Sequence, residues 1–181
     1  LSRLALGAAD MPGHVILSHG LSSSPAATKV SVLAEVAGRL GWSHERPDYT
    51  DIDASGDIGR VTDRLQRLLQ RCAAAPRPLV LAGSSMGAFI AALASLEARC
   101  DGLFLMAPPV HMDGYPRALR AAVLPTMVVH GWGDEVCPVG DVIRWSQRRR
   151  DRLLLLDDGH RLEHHVELCA EEFGRFLTAL A

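Results

Sequence analysis

Five residues, Gly83-Ser84-Ser85-Met86-Gly87, place two serines between two glycines. They fall where one apolar run, Leu79 to Ala82, hands over to a second that begins at Met86. Glycine-x-serine-x-glycine between a strand and a helix is the spacing of an exposed nucleophile. The serine sits on a strained turn, and the glycines let the neighbouring backbone close around it. The helix that follows would aim its amino end at the hydroxyl, which favours negative charge developing there. The motif gives the central place to Ser85, whereas Ser84 is the competing serine and fits a supporting role in the turn. The pentapeptide alone is common, and a tight turn with a buried serine would also produce it. Its strand-before, helix-after context is what gives it weight.

A serine hydroxyl needs a base. His160, in Asp158-Gly159-His160-Arg161, follows the last apolar run and is the candidate. Its rivals are placed less well. His164 and His165 fall in the closing helix, His130 ends a strand, His14 begins one, and His44 and His111 follow no strand. The base in turn needs an acid to hold its tautomer and stabilise the imidazolium. Asp134, after the two glycines of Gly131-Trp132-Gly133, is the candidate. Glu135 is its nearest competitor, Asp113 a weaker one, and Asp157 and Asp158 read as turn residues. Ser85, Asp134 and His160 follow one another in the chain order nucleophile, acid, base.

An oxyanion formed at Ser85 requires two preorganised donors. The backbone N–H groups of Met86 and Leu21 are the candidates, Leu21 lying in the loop His19-Gly20-Leu21-Ser22-Ser23-Ser24-Pro25. His19 is expected to brace that loop. Its serines either cap the next helix or meet substrate, and Ser22 and Trp132 are taken as substrate contacts. Leu21, Met86, Val110, Met112, Trp132 and Val136 are possible apolar walls, though each could equally belong to the core. The loop is not a phosphate-binding loop, since no G-x-x-x-x-G-K-[ST] occurs.

These positions need a scaffold that brings strand ends together. Short continuous apolar runs predict strands at Val15–Leu17, Leu79–Ala82, Gly102–Ala107, Thr126–His130 and Leu153–Leu156, with a weaker one at Ser43–Pro47. Helical spacing of apolar residues predicts helices over Ala27–Leu40, Asp57–Ala74, Met86–Leu96, Val139–Arg149 and Leu162–Leu180, and a short one near Pro116–Val123. Strand and helix alternating about six times imply an α/β fold. It would be a three-layer α/β/α sandwich on a mainly parallel sheet of about six strands. Right-handed crossovers gather the strand C-terminal ends on one edge, where such sheets bind ligands. His19, Ser85, Asp134 and His160 all fall there.

With 181 residues and neither linker nor repeat, one domain over 1–181 is expected. Apolar residues at 48% and charged residues at 22% are ordinary for a globular chain, and a net charge of −2 offers nothing to nucleic acid. Arg148-Arg149-Arg150 reads as a solvated helix end. Cys72, Cys100, Cys137 and Cys169 are too scattered for a disulfide framework or a zinc site, so reduced thiols, no metal and a cytoplasmic location are expected. No apolar stretch reaches membrane-spanning length. The start, Leu1-Ser2-Arg3, has no signal-peptide layout and no initiator methionine.

Together these residues resemble the α/β-hydrolase superfamily over His14 to about Leu180, and within it the small lidless bacterial serine hydrolases and esterases of the YqiA-like kind. The resemblance rests on H-G-x-x-S-S-P at His19 to Pro25, Lys29 soon after, G-S-S-x-G at Gly83 to Gly87, D-x-x-x-P at Asp134 to Pro138, and Gly159-His160. It implies esterase-type activity without a cofactor. Only about 17 residues separate Ala107 from Pro125, where larger relatives insert a cap, so no cap domain is expected. The reading is then a serine hydrolase that cleaves a small or short-chain carboxylic ester through an acyl-enzyme. The alternative is a ligand-binding or signalling module on the same scaffold with little turnover.

Overall fold

Six strands form one parallel sheet in the computed structural model, which describes residues 11–181. The strands are β1 (His14–Ser18), β2 (Ser43–Glu45), β3 (Leu79–Ser84), β4 (Gly102–Met106), β5 (Thr126–Gly131) and β6 (Arg152–Leu156), in spatial order β2-β1-β3-β4-β5-β6. Six helices accompany them: α1 (Thr28–Arg39), α2 (Thr50–Asp53), α3 (Val61–Ala74), α4 (Met86–Ala94), α5 (Val139–Arg149) and α6 (Val166–Leu180). The central strands β1, β3, β4 and β5 are buried at every position because both faces are covered. Val15, Leu17, Val80, Ala82, Phe104 and Met106 meet α1 and α6 on one side. Ile16, Leu81, Leu103, Leu105 and Val128 meet the core that contains α3, α4 and α5 on the other. This is the three-layer α/β/α sandwich on a parallel sheet that the strand–helix alternation implies.

The strand order turns at β1, which has β2 on one side and β3 on the other. The loops after β1 and β3 therefore meet at a switch point, where a crevice opens at the sheet edge. The helix after β3 lies deep. All nine residues of α4 are buried, and its second residue sets its height over the sheet. A Cβ on Gly87 would lie 1.9 Å from the Ser18 carbonyl oxygen and 2.5 Å from its carbonyl carbon. Both are backbone atoms of β1, so the collision cannot be relieved by a side-chain rotation. Gly87→Ala is expected to cost at least about 3 kcal/mol, read as a midpoint shift in urea. A variant that unfolds at the wild-type urea concentration would rule this out.

The segment from 107 to 125 corrects one expectation. No helix forms near 116–123. Its backbone groups are taken by tertiary partners instead. Leu119 N–H donates to the Val110 carbonyl at 2.8 Å, Trp145 Nε1 donates to the Leu119 carbonyl at 2.9 Å, and Ala122 N–H donates to Ser95 Oγ at 2.9 Å. Arg149 donates to the carbonyls of Ala121 and Ala122. The segment is thus a strap tied to α4 and α5, not a cap over the sheet edge. The closing helix starts at Val166, later than the pattern suggests, because the left-handed turn at Leu162 (φ 52°) and a short 3-10 turn precede it. α6 ends against the opposite edge of the sheet, where Leu180 and Phe176 fill the space left by Gly102 at the start of β4.

Candidate active site

Ser85 occupies the turn between β3 and α4 with φ 54° and ψ −116°, a conformation L-residues avoid unless the surroundings impose it. Its N–H is held by the Met106 carbonyl at 2.9 Å. A Cβ on Gly83 would lie 2.3 Å from the backbone of Gly87, so the first glycine of the motif is needed for the turn to close on itself. Ser84 ends β3 and is buried.

His160 Nε2 lies 3.0 Å from Ser85 Oγ, and its Nδ1 lies 2.8 Å from Asp134 Oδ2. The three side chains form one continuous hydrogen-bonded line from hydroxyl to carboxylate. The structure brings together the three residues picked from the sequence; of their competitors, Ser84, His111 and Asp113 line the same cleft without joining this line. Asp134 is buried, with its other oxygen Oδ1 accepting from the N–H groups of Val136 (2.9 Å) and Cys137 (2.7 Å). Burial alone would raise this carboxyl. The His160 bond and these backbone donors outweigh it and hold the group below its usual range.

The acid and base loops are fastened to each other. Gly133 N–H donates to the Asp158 carbonyl at 3.0 Å, and a Cβ on Gly131 would stand 2.3 Å from that oxygen. The Asp158 carboxylate accepts from Gly159 N–H (2.8 Å), His164 N–H (3.0 Å) and His165 Nδ1 (2.9 Å). Asp158 is therefore more than a turn former: it closes the loop that presents His160.

Across the cleft, the Gly20 peptide packs beside the turn; a Cβ there would lie 3.7 Å from Ser85 Cβ. Neither Leu21 N–H nor Met86 N–H meets an acceptor among the described residues. Met86 directly follows Ser85, and Leu21 lines the cleft with it. A cleft of about 1020 Å³ opens here, lined by Leu21, Ser22, Met86, Met112 and Val136 around Ser85 and His160. Lys29 also faces it, and burial lowers its amine below the ordinary value. Trp132 and Val110 do not line the cleft. Trp132 is 56% exposed, with its N–H donating to Leu156, and Val110 is buried in the core. The Trp132 N–H bond ties its loop toward β6.

Two neighbours escaped the sequence reading in detail. His130 is fully buried, and its Nε2 donates to the Cys137 carbonyl (2.8 Å) and lies 3.3 Å from Asp134 Oδ2. His19 is also fully buried; its Nδ1 donates to the Gly20 carbonyl (2.8 Å) and its Nε2 accepts Tyr49 N–H (3.0 Å). Burial lowers both imidazoles, against the opposing pull of Asp134 on His130 and of Asp53 and Asp48 on His19. Both are neutral when folded and gain a proton more easily when unfolded. Their contribution is full above the ordinary value of 6.5 and is lost as pH falls below it. Tm is therefore expected to drop between pH 7 and pH 5, before carboxylates titrate. A Tm flat over that interval would refute the assignment.

Asp134, Cys137 and His160 offer ligand atoms within 4.8 Å of one another. The Asp134 carboxylate and the His160 ring are already engaged, however, and burial pushes the Cys137 thiol up to about 12. The arrangement suits proton transfer better than open coordination.

A family described as alpha/beta hydrolase domain matches residues 49–169, and the chain belongs to that family of hydrolases. Among solved structures, it is similar to a protein from Xanthomonas campestris pv. campestris described as a hydrolase of the alpha/beta superfamily. That match has 53% identity and a TM-score of 0.89, covering 92% of this chain and 99% of the other. A serine hydrolase without a lid from Xanthomonas campestris has the same fold at 20% identity, with a TM-score of 0.77 over 93% and 82% of the two chains. Est1E from Butyrivibrio proteoclasticus does so at 18% identity and TM-score 0.77 over 93% and 88%. The comparison with curated proteins finds no match. No helix among the described residues is long and apolar enough to cross a membrane.

Proposed function

We propose that this chain is a serine hydrolase that cleaves carboxylic esters through an acyl-enzyme on Ser85. The observation that carries the reading is the hydrogen-bonded line from Ser85 through His160 to Asp134, at 3.0 and 2.8 Å. Ser85 Oγ attacks the ester carbonyl carbon as its proton passes to His160 Nε2. The carbonyl electron pair becomes an oxyanion, which the N–H groups of Leu21 and Met86 receive. Asp134 holds His160 with Nδ1 protonated, leaving Nε2 free to accept, and then stabilises the imidazolium. The intermediate collapses, and His160 gives its proton to the departing alcohol. Water activated by the same nitrogen releases the acid. The Ser22 hydroxyl lines the cleft and is placed to meet the substrate. With the 107–125 strap tied down to α4 and α5, little apolar surface wraps a long chain, so short acyl groups are expected to turn over best.

The test is intact mass after exposure to a fluorophosphonate, on wild type and on Ser85→Ala. One adduct on wild type and none on the variant is expected, with hydrolysis of short p-nitrophenyl esters lost in parallel. A wild type that takes no adduct and hydrolyses no ester would overturn the reading and favour a ligand-binding role.

A further inference from the structure

Arg64 is the largest side chain sealed inside the fold, although it is charged. It lies on α3, in the stripe of Val61, Leu65 and Leu68, and its partner Asp53 ends α2. Nε donates to Asp53 Oδ1 at 2.7 Å and one terminal nitrogen donates to Oδ2 at 2.6 Å. The remaining donors go to backbone carbonyls; His19 Nδ1, 3.4 Å from a terminal nitrogen, carries its own proton and cannot accept. One reaches the His19 carbonyl at 2.9 Å and another the Gly20 carbonyl at 3.1 Å. The Tyr49 ring covers the guanidinium, 4.6 Å from centroid to Cζ.

A buried ion pair is no general source of stability, since two apolar residues often serve as well. What this one does is geometric. The Gly20 carbonyl accepts from both Arg64 and His19 Nδ1, so its two lone pairs are taken and the peptide plane cannot rotate. In a trans peptide the C=O and the following N–H point in opposite directions. Holding the Gly20 oxygen toward the α3 interior therefore aims Leu21 N–H the other way, toward the cleft beside Ser85.

We infer that Arg64, backed by Asp53, is a positioning residue that fixes the direction of the Leu21 N–H and so completes the oxyanion site. The inference rests on the ester reading. A lysine has three donors and no planar fork, so it cannot grip both Asp53 oxygens and both carbonyls at once.

The test uses the double variant Arg64→Met with Asp53→Leu, which leaves neither charge buried alone. Ester hydrolysis is measured with a trifluoromethyl ketone as transition-state mimic. Ser85 adds to the ketone carbon, the carbonyl pair becomes the oxyanion, and the proton goes to His160. A folded double variant is expected to lose about 10²-fold in kcat, with KM changed little. Ketone affinity should fall by a similar factor. A purely structural role would lower Tm and leave kcat and ketone affinity near wild type, and that result would overturn the inference. Should the double variant fail to fold, Arg64→Lys takes its place, with the same pattern expected at smaller size and the same overturning result. The two readings fail separately. A wild type without ester hydrolysis or a Ser85 adduct overturns both. An active wild type with indifferent Arg64 variants overturns only this one.

Discussion

Replacing His160 with alanine is expected to lower kcat for a short ester by on the order of 10⁶ at neutral pH. An isolated serine hydroxyl is a weak nucleophile, and no other base lies in its hydrogen-bonded line. Its only side-chain hydrogen bond among the described residues is the one it donates to His160 Nε2, at 3.0 Å. His165 Nδ1 is engaged with Asp158, His130 and His19 are buried behind the acid and the oxyanion loop, and neither His164 nor the cleft-lining His111 is hydrogen-bonded to Ser85. The fold should survive, because the His160 side chain is 23% exposed and lies on a loop rather than in the core. Matching melting curves with a residual rate within tenfold of wild type would remove His160 from the mechanism.

Asp134→Asn should cost about 10⁴ in kcat, and the geometry dictates why. Val136 and Cys137 N–H both donate to Oδ1, so the amide oxygen must occupy that place. The NH₂ is then forced to where Oδ2 was, facing His160 Nδ1. Two donors cannot share that contact, so Nδ1 must lose its proton and Nε2 must carry one. A protonated Nε2 cannot accept from Ser85. The same NH₂ would face His130 Nε2, itself a donor to the Cys137 carbonyl, which adds a second repulsive contact, while flipping the amide would set the NH₂ against the Val136 and Cys137 N–H groups instead. The loss should ease as pH rises and the serine ionises unaided. A variant retaining more than a tenth of wild-type kcat at pH 7 would show that the tautomer is set elsewhere.

Much of this arrangement could be read from the chain because parallel strands buried on both faces announce themselves as unbroken apolar runs. Loops at their C-terminal ends then share one edge whatever the details of packing. Ser85, Asp134 and His160 each stand just after such a run, so their meeting followed from topology. Arg64 was hidden by the opposite logic. A charge in an otherwise amphipathic helix reads as a solvent-facing residue, and only its alignment with Val61 and Leu68 hinted at burial. Its partner sits in α2, a four-residue helix too short to carry a period. Near 116–123 the helical pattern misled because Ser95, Trp145 and Arg149 claim the backbone groups a helix would have used. Those are long-range partners that no local window contains.

The packing of Leu180 and Phe176 over Gly102 has a practical meaning. Gly102 opens β4, whereas Ser85, Asp134 and His160 follow the far ends of β3, β5 and β6. Polypeptide joined after α6 therefore leaves the protein on the side away from the cleft. A resin, an electrode or a second protein attached there would hold the molecule with its cleft turned outward, still open to dissolved substrate.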